Sequence, residues 1–130
     1  MSCIDQTDAN NIINAQLRNV AYTTVAATKI RLGTNAPTAT VDMTELSSSG
    51  YTTGGSTITW NAASAGATSN AGSVSWTNGG STWSLVGLEI WDTAGSPLRH
   101  LYGTWTGQPV SVAGSNTFTV AAAGISYALT

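Results

Sequence analysis

Few side chains in this sequence could do acid–base or nucleophilic chemistry, and they can be weighed one at a time. His100 is the only histidine, Cys3 the only cysteine, and the acids are Asp5, Asp8, Asp42, Glu45, Glu89 and Asp92. A Ser-His-Asp arrangement would have to use His100, with Glu89 or Asp92 to orient it and one of the many serines as nucleophile. No serine stands in a Gly-x-Ser-x-Gly elbow, so the nucleophile has no obvious seat. For hydrolysis by paired carboxylates, Glu89 and Asp92 lie three apart on an expected strand and point to opposite faces. Asp42 and Glu45 fall in an expected loop. Cys3 has no neighbouring histidine or basic residue to activate it. There is no His/Cys cluster, no calcium-type acidic loop and no glycine-rich phosphate loop, since Gly54-Gly55 and Gly79-Gly80 sit in Ser/Thr contexts that suit turns. The expectation is a protein with no catalytic residue, no metal and no cofactor.

The elements that would position these groups centre on residues 83–92, the densest apolar run in a chain otherwise rich in Thr, Ser, Gly and Ala. At strand period, Val86, Leu88 and Ile90 take one face, and Trp83, Leu85, Gly87, Glu89 and Trp91 the other. Both faces are largely apolar, which predicts cover on both sides. The turn at 92–97 makes a hairpin with the following strand. One register sets Glu89 opposite His100 and the other sets it opposite Arg99, so Glu89, His100 and Arg99 are candidates for a structural pair.

Upstream, residues 7–20 carry the only convincing helical pattern. Thr7 or Asp8 can cap it, and Ile12, Ile13, Leu17 and Val20 gather on one side. Such a short helix needs a surface, and the apolar second face of the central strand is a candidate. From residue 28 onward, β-branched residues alternate in short runs broken by Gly, Asn, Ser or Pro. These predict strands near 28–34, 57–61, 72–77, 83–91, 98–105, 108–113, 117–121 and 125–129. Residues 35–50, with Pro37 and a Ser-Ser-Ser-Gly end, read as a long surface loop. The expected fold class is mainly β, a single antiparallel β-sandwich domain (jelly-roll-like or Ig-like) over 1–130 with one short N-terminal helix.

Charged residues form 8% of the 130-residue chain, about a third of the usual share, with a net charge of −2. Only Arg18, Lys29, Arg31 and Arg99 are positive, which leaves no basic stripe for nucleic acid. No apolar run is long enough to span a membrane, and the start lacks the pattern of a signal peptide, so synthesis in the cytoplasm is expected. A surface of hydroxyls and amides lacks like-charge repulsion and tolerates close packing against neighbours. Trp60, Trp76, Trp83, Trp91 and Trp105 could serve as core, as interface anchors or as a platform for sugars.

The order of a helix, then Gly50-Tyr51, Ile58-Thr-Trp-Asn-Ala-Ala-Ser64, Ser69-Asn-Ala-Gly-Ser-Val-Ser-Trp76, Val86-Gly-Leu-Glu-Ile-Trp-Asp92, Gly103 and Gly114-Ser-Asn-Thr-Phe-Thr-Val120 resembles a family of small tailed-bacteriophage virion proteins. Its members carry the labels tail fibre, minor structural or head decoration protein. The block ending Ile90-Trp91-Asp92 is the best marker, while the loop at 35–50 departs from the family's usual shorter one. The resemblance implies a β-sandwich that is a virion component, made in the host cytoplasm, without catalytic or metal residues. It suggests a capsid decoration protein that binds the major capsid protein on the head surface and stabilises the assembled shell by mass action. The alternative is a tail-fibre or baseplate module, partnered by tail proteins, that contacts host glycans. A homo-dimer or homo-trimer is expected, with Trp83, Leu85, Trp91, Tyr102 and Trp105 as the candidate protein interface.

Overall fold

The computed structural model describes residues 3–22 and 27–129. One helix, α1 (Gln6–Arg18), precedes the strands β1 (Thr28–Gly33), β2 (Ser56–Ile58), β3 (Ala67–Ser69), β4 (Val74–Thr77), β5 (Trp83–Leu85), β6 (Gly87–Asp92), β7 (Arg99–Thr104), β8 (Val110–Val112), β9 (Thr117–Val120) and β10 (Ser126–Ala128). Among the described residues the pairing is antiparallel throughout, in a four-stranded sheet of order β2-β1-β6-β7 and three two-stranded ribbons, β4-β9, β5-β8 and β3-β10. The fold class is therefore mainly β with one N-terminal helix, as the alternation of β-branched residues predicts. Seven of the eight expected strands are present at shifted bounds, and the eighth, 83–91, is divided into β5 and β6. β3 is additional, because its Ala-Thr-Ser sequence carries no apolar alternation to announce it.

The core lies between the sheet and the ribbons. Ile30 and Leu32 of β1, Ile58 of β2, and Leu88 and Ile90 of β6 meet Trp76 of β4, Trp83 and Leu85 of β5, Val112 of β8 and Val120 of β9. Trp76 stacks near Phe118, and Trp105 meets the same ring edge-on at 5.1 Å. Burying this many large side chains is the main favourable term for a chain of this size.

The central run is not one strand. It breaks at Val86, where the Val86 amide donates to the Gly33 carbonyl and the Trp105 amide donates to the Val86 carbonyl. Before the break the run pairs with β8, and after it with β1 and β7. One residue out of register reverses the parity, so odd-numbered Trp83 and Leu85 and even-numbered Leu88 and Ile90 all enter the same core. This corrects the reading of Trp83 and Leu85 as interface residues: they are 1% and 0% exposed within the chain's own core.

The second face of the sheet carries Lys29 and Trp91, Arg31 and Glu89, and Gly33 and Gly87 as cross-strand pairs. Its cover is the segment 35–43, not the helix: Pro37 and Met43 are buried and the Met43 amide donates to Glu89. The chain then runs along the edge of β1, where Leu46 and Thr34 donate to the carbonyls of Leu32 and Thr44 and Leu46 turns into the core on the other side. What the sequence suggests is a surface loop is thus a strap laid flat on the sheet. It lies flat because the pair beneath it has no side chains: a Cβ on Gly87 would stand 2.5 Å from the Asn35 carbonyl and 2.7 Å from Pro37, and one on Gly33 would enter Met43.

The Gly87→Ala variant should therefore lose about 1–3 kcal/mol of stability in urea titration. Gly103→Ala, whose added Cβ meets only Leu88 at 3.9 Å, should lose nothing measurable. Equal effects at the two positions would mean that the strap does not depend on a bare surface.

Candidate functional site

The polar groups singled out in the sequence converge where the N-terminal segment, the strap and the β6-β7 hairpin meet. Arg99 is at the centre. Its side chain is 2% exposed, its Nε and Nη2 both donate to Asp5 Oδ2 (3.0 and 2.7 Å), and Nη1 donates to Glu89 Oε1 at 2.8 Å. The strap closes over it with the Thr38 and Val41 carbonyls as further acceptors and Asp42 Oδ1 at 3.2 Å. Glu89, 2% exposed, also accepts from the Met43 amide and from the Trp91 indole. Buried charge is tolerated when it is paired and hydrogen-bonded, and here both conditions are met.

The expected pairing of Glu89 with Arg99 is present, although by neither expected register. Trp91 pairs with Arg99 and Ile90 with Leu101, so His100 is an extra residue in a bulge and the strand neighbour of Glu89 is Tyr102. Arg99 and Glu89 share a face and meet diagonally. His100 instead lies between two acids, with Nδ1 3.1 Å from Asp8 Oδ2 and Nε2 3.3 Å from Asp92 Oδ2. An imidazole can donate at both nitrogens only when protonated. In keeping with that, the Asp8 hydrogen bond outweighs burial and raises the His100 pKa above its ordinary value, with Asp92 adding to the effect. Burial pushes Asp8 up, but donors from His100 and Tyr22 prevail and hold it below the usual carboxylate range. Asp92 is likewise lowered: against its burial stand the amides of Leu98 and Ala94, which it accepts in forming the hairpin turn, and His100.

These contacts hold the helix by its first turn. Asp5, not Thr7 or Asp8, is the N-cap: its Oδ1 accepts from the Thr7 amide at 2.8 Å while its Oδ2 holds Arg99, so a tertiary ion pair sets the helix start. Among the described residues the expected docking of the apolar side is largely missing: Asp8 is the buried residue of α1 and Ile12 is half-buried, whereas Ile13 and Leu17 are 51% and 79% exposed and Val20, beyond the Asn19 C-cap, is 49% exposed.

The remaining aromatic candidates are half-buried and engaged within the chain. The Trp91 ring lies 4.3 Å from the Arg31 guanidinium, Tyr102 lies 5.2 Å from that of Arg99, and Trp105 donates to the Gly87 carbonyl. Trp60 donates to Thr28 and Trp76 is core, so no tryptophan stands as an open platform. Asp5, Asp8 and Asp42 are the residues of this site that sequence spacing does not reveal, since Asp5 lies 94 residues from its partner. Both ring nitrogens of His100 face carboxylates, and among the described residues the arrangement works as a clamp.

A family model described as podophage GP4 fiber I protein gp80 matches residues 4–128, and the chain belongs to that family. It is a phage virion protein by that membership. No curated protein matches the chain.

Removing the central cation tests the clamp. Arg99→Met should cost about 3–5 kcal/mol, because Asp5 and Glu89 are left buried without a counter-charge. Arg18→Ala, on the exposed side of α1, should stay within about 0.5 kcal/mol in the same denaturation series. The His100 contribution has a definite sign with pH. Its folded pKa is raised, so the stabilisation is complete below the unfolded value of about 6.5 and is lost as pH rises through the folded value. The lowered Asp8 and Asp92 contribute above about pH 4 and lose their part as pH falls through their folded values. Amide exchange in residues 6–18 should therefore accelerate on alkaline titration while the β core stays protected. An NMR midpoint for His100 at or below that of a free imidazole would contradict the assignment.

Proposed function

We propose, from membership of the podophage fibre family, that the chain is a structural subunit of a virion fibre and carries no enzymatic activity. The observation that supports a fibre more than a shell is the way α1 is held. A polar clamp fixes its first turn, and the apolar residues beyond, Ile13, Leu17 and Val20, are turned outward. A helix of 13 residues gains little from its own hydrogen bonds, so the outward pair Ile13 and Leu17 at i, i+4 spacing, with Val20 exposed just past the Asn19 C-cap, is suited to packing on another virion subunit, whether a tail protein or a further copy of this chain. Half-buried Trp91, Tyr102 and Trp105 could contribute to the rim of such a contact; Trp83 and Leu85 do not.

The second reading, decoration of the capsid surface through the major capsid protein, is favoured by the scarcity of surface charge. Each acidic residue is held in an ion pair, which leaves hydroxyls and amides to face a neighbouring shell. Copy number and position distinguish the two. A reconstruction of the particle should show this β-domain at a few fibre positions, and density repeated over the head lattice would select decoration.

The stripe has its own test. Leu17→Ser combined with Ile13→Ser should leave the unfolding midpoint of the isolated protein nearly unchanged and reduce its incorporation into particles. Normal incorporation would remove the helix from the assembly contact.

A further inference from the structure

We infer that the cationic pair Lys29 and Arg31 on β1, with Trp91 beside it, is a contact surface for an acidic, extended segment of a different virion protein. The inference goes beyond the fibre reading and needs only that the chain is a virion subunit, which its family membership gives.

The two side chains share the face of the sheet that the strap covers at its other end, over Gly33 and Gly87. Lys29 is flanked by Thr57 of β2 and Trp91 of β6, and among the described residues its ammonium has no hydrogen bond or ion pair. Arg31 is scarcely better supplied. Glu89, directly across from it, has both oxygens occupied by Met43, Arg99 and Trp91, and Glu45 Oε1 is occupied by the Tyr51 hydroxyl and the Gly54 amide. Glu45 Oε2 stays 3.9 Å from Arg31 Nη1, beyond hydrogen-bond length, and the enclosed Arg31 Nε has no acceptor among the described residues. Around Arg99 and His100, by contrast, charged groups are matched at hydrogen-bond distance, so the donors of this pair are left over.

Charge complementarity selects the class of partner. Two cations neutralise too few phosphates to hold a nucleic acid. A second copy of this chain is a poor counterpart, because its own carboxylates are engaged: Asp5, Asp8, Glu89 and Asp92 are buried, Glu45 is half-buried, and the more exposed Asp42 is paired with Arg99. Carboxylates of another subunit fit. A guanidinium stacked on an indole keeps its edge for a planar, two-oxygen acceptor, and stacking on Trp91 at 4.3 Å also orders Arg31 before any partner arrives. Residues two apart on a strand stand about 7 Å apart, which is equally the spacing of acids at alternate positions of an extended segment. Lys29 and Arg31 can therefore take successive acids of one such segment, with the exposed Thr57 hydroxyl at the margin.

Complementation of a phage lacking this gene tests the surface, read as copies of the chain per purified particle by quantitative mass spectrometry. Lys29→Glu should lower incorporation at least about tenfold, as for reversing a charge at an interface, while Lys29→Arg should incorporate normally. The unfolding midpoint of purified Lys29→Glu should match that of the unaltered protein, since the ammonium holds nothing within the described chain; were that variant to misfold, Lys29→Gln decides by the same readout. Revertants of phage carrying Lys29→Glu should replace an Asp or Glu in another virion protein. In solution, a peptide of alternating Glu and Thr should shift the amides of residues 29–31, 57 and 91 in 15N spectra, less as salt rises. Normal incorporation of folded Lys29→Glu, revertants confined to this chain, or equal shifts with inorganic phosphate would overturn the inference. Dependence on Lys29 with the domain found on the head removes the fibre reading and leaves this surface. Normal incorporation of Lys29→Glu with the domain found in a fibre does the reverse.

Discussion

The Arg99 guanidinium is the interaction on which the rest of the arrangement depends, because it is where four separate pieces of chain meet. Asp5 comes from the N-terminal segment, Thr38, Val41 and Asp42 from the strap, Glu89 from β6, and Arg99 itself from β7. Apart from Pro37 and Met43 of the strap, these pieces bring little apolar surface to that side of the sheet. A planar cation with five donors can join several acceptors at fixed angles, which a lysine could not do. Moving one guanidinium out of water is unfavourable alone, and the surrounding carboxylates and carbonyls offset it only as a complete set. The N-terminal segment, the strap and the hairpin therefore form one polar unit.

This explains how a chain with so few charges uses them. Glu45 approaches Arg31, Asp8 and Asp92 hold His100, and the other three acids surround Arg99. The charges are interior fasteners more than surface solubilisers. The two sides of the sheet are consequently built on different principles: the ribbon side is closed by Trp, Leu, Ile and Val, the strap side by ion pairs, backbone hydrogen bonds and a bare glycine pair. The break at Val86 connects them, since it lets one run of sequence leave the ribbon layer and continue as the middle of the sheet.

Much of the fold is legible in the sequence because β-branched alternation and turn residues act locally. The hairpin at 92–97 follows from its turn chemistry, and the demand for cover on both faces of β6 follows from the apolar residues on both sides. What is not legible depends on single-residue shifts or on distance along the chain. Alternation alone continues the central strand through Val86 and turns Trp83 and Leu85 outward; one unpaired residue reverses that assignment. The bulge at His100 likewise puts Tyr102, and neither His100 nor Arg99, directly opposite Glu89, which reaches Arg99 on the diagonal. Asp5 reads locally as charge beside a helix start, which is half of its role, and its other partner lies beyond any spacing rule. The pairing of Glu89 with Arg99 is legible as a possibility because strand neighbours are few.

The helix shows how an accurate local pattern can carry a wrong packing inference. Ile13 and Leu17 do fall on one side, although the helix ends before Val20, and amphipathic periodicity ordinarily means that this side is buried in the same domain. Here the second face of the sheet is already occupied by the strap, held down by Arg99 and lying on Gly33 and Gly87, so no apolar surface is left there for the helix to join. The same residues that close the strap also capture the helix end, because Asp5 both caps α1 and pairs with Arg99. Polar anchoring at one end and apolar exposure along the remainder thus have one cause: the ion network that completes the β-domain holds the helix in place without giving its stripe an intramolecular partner.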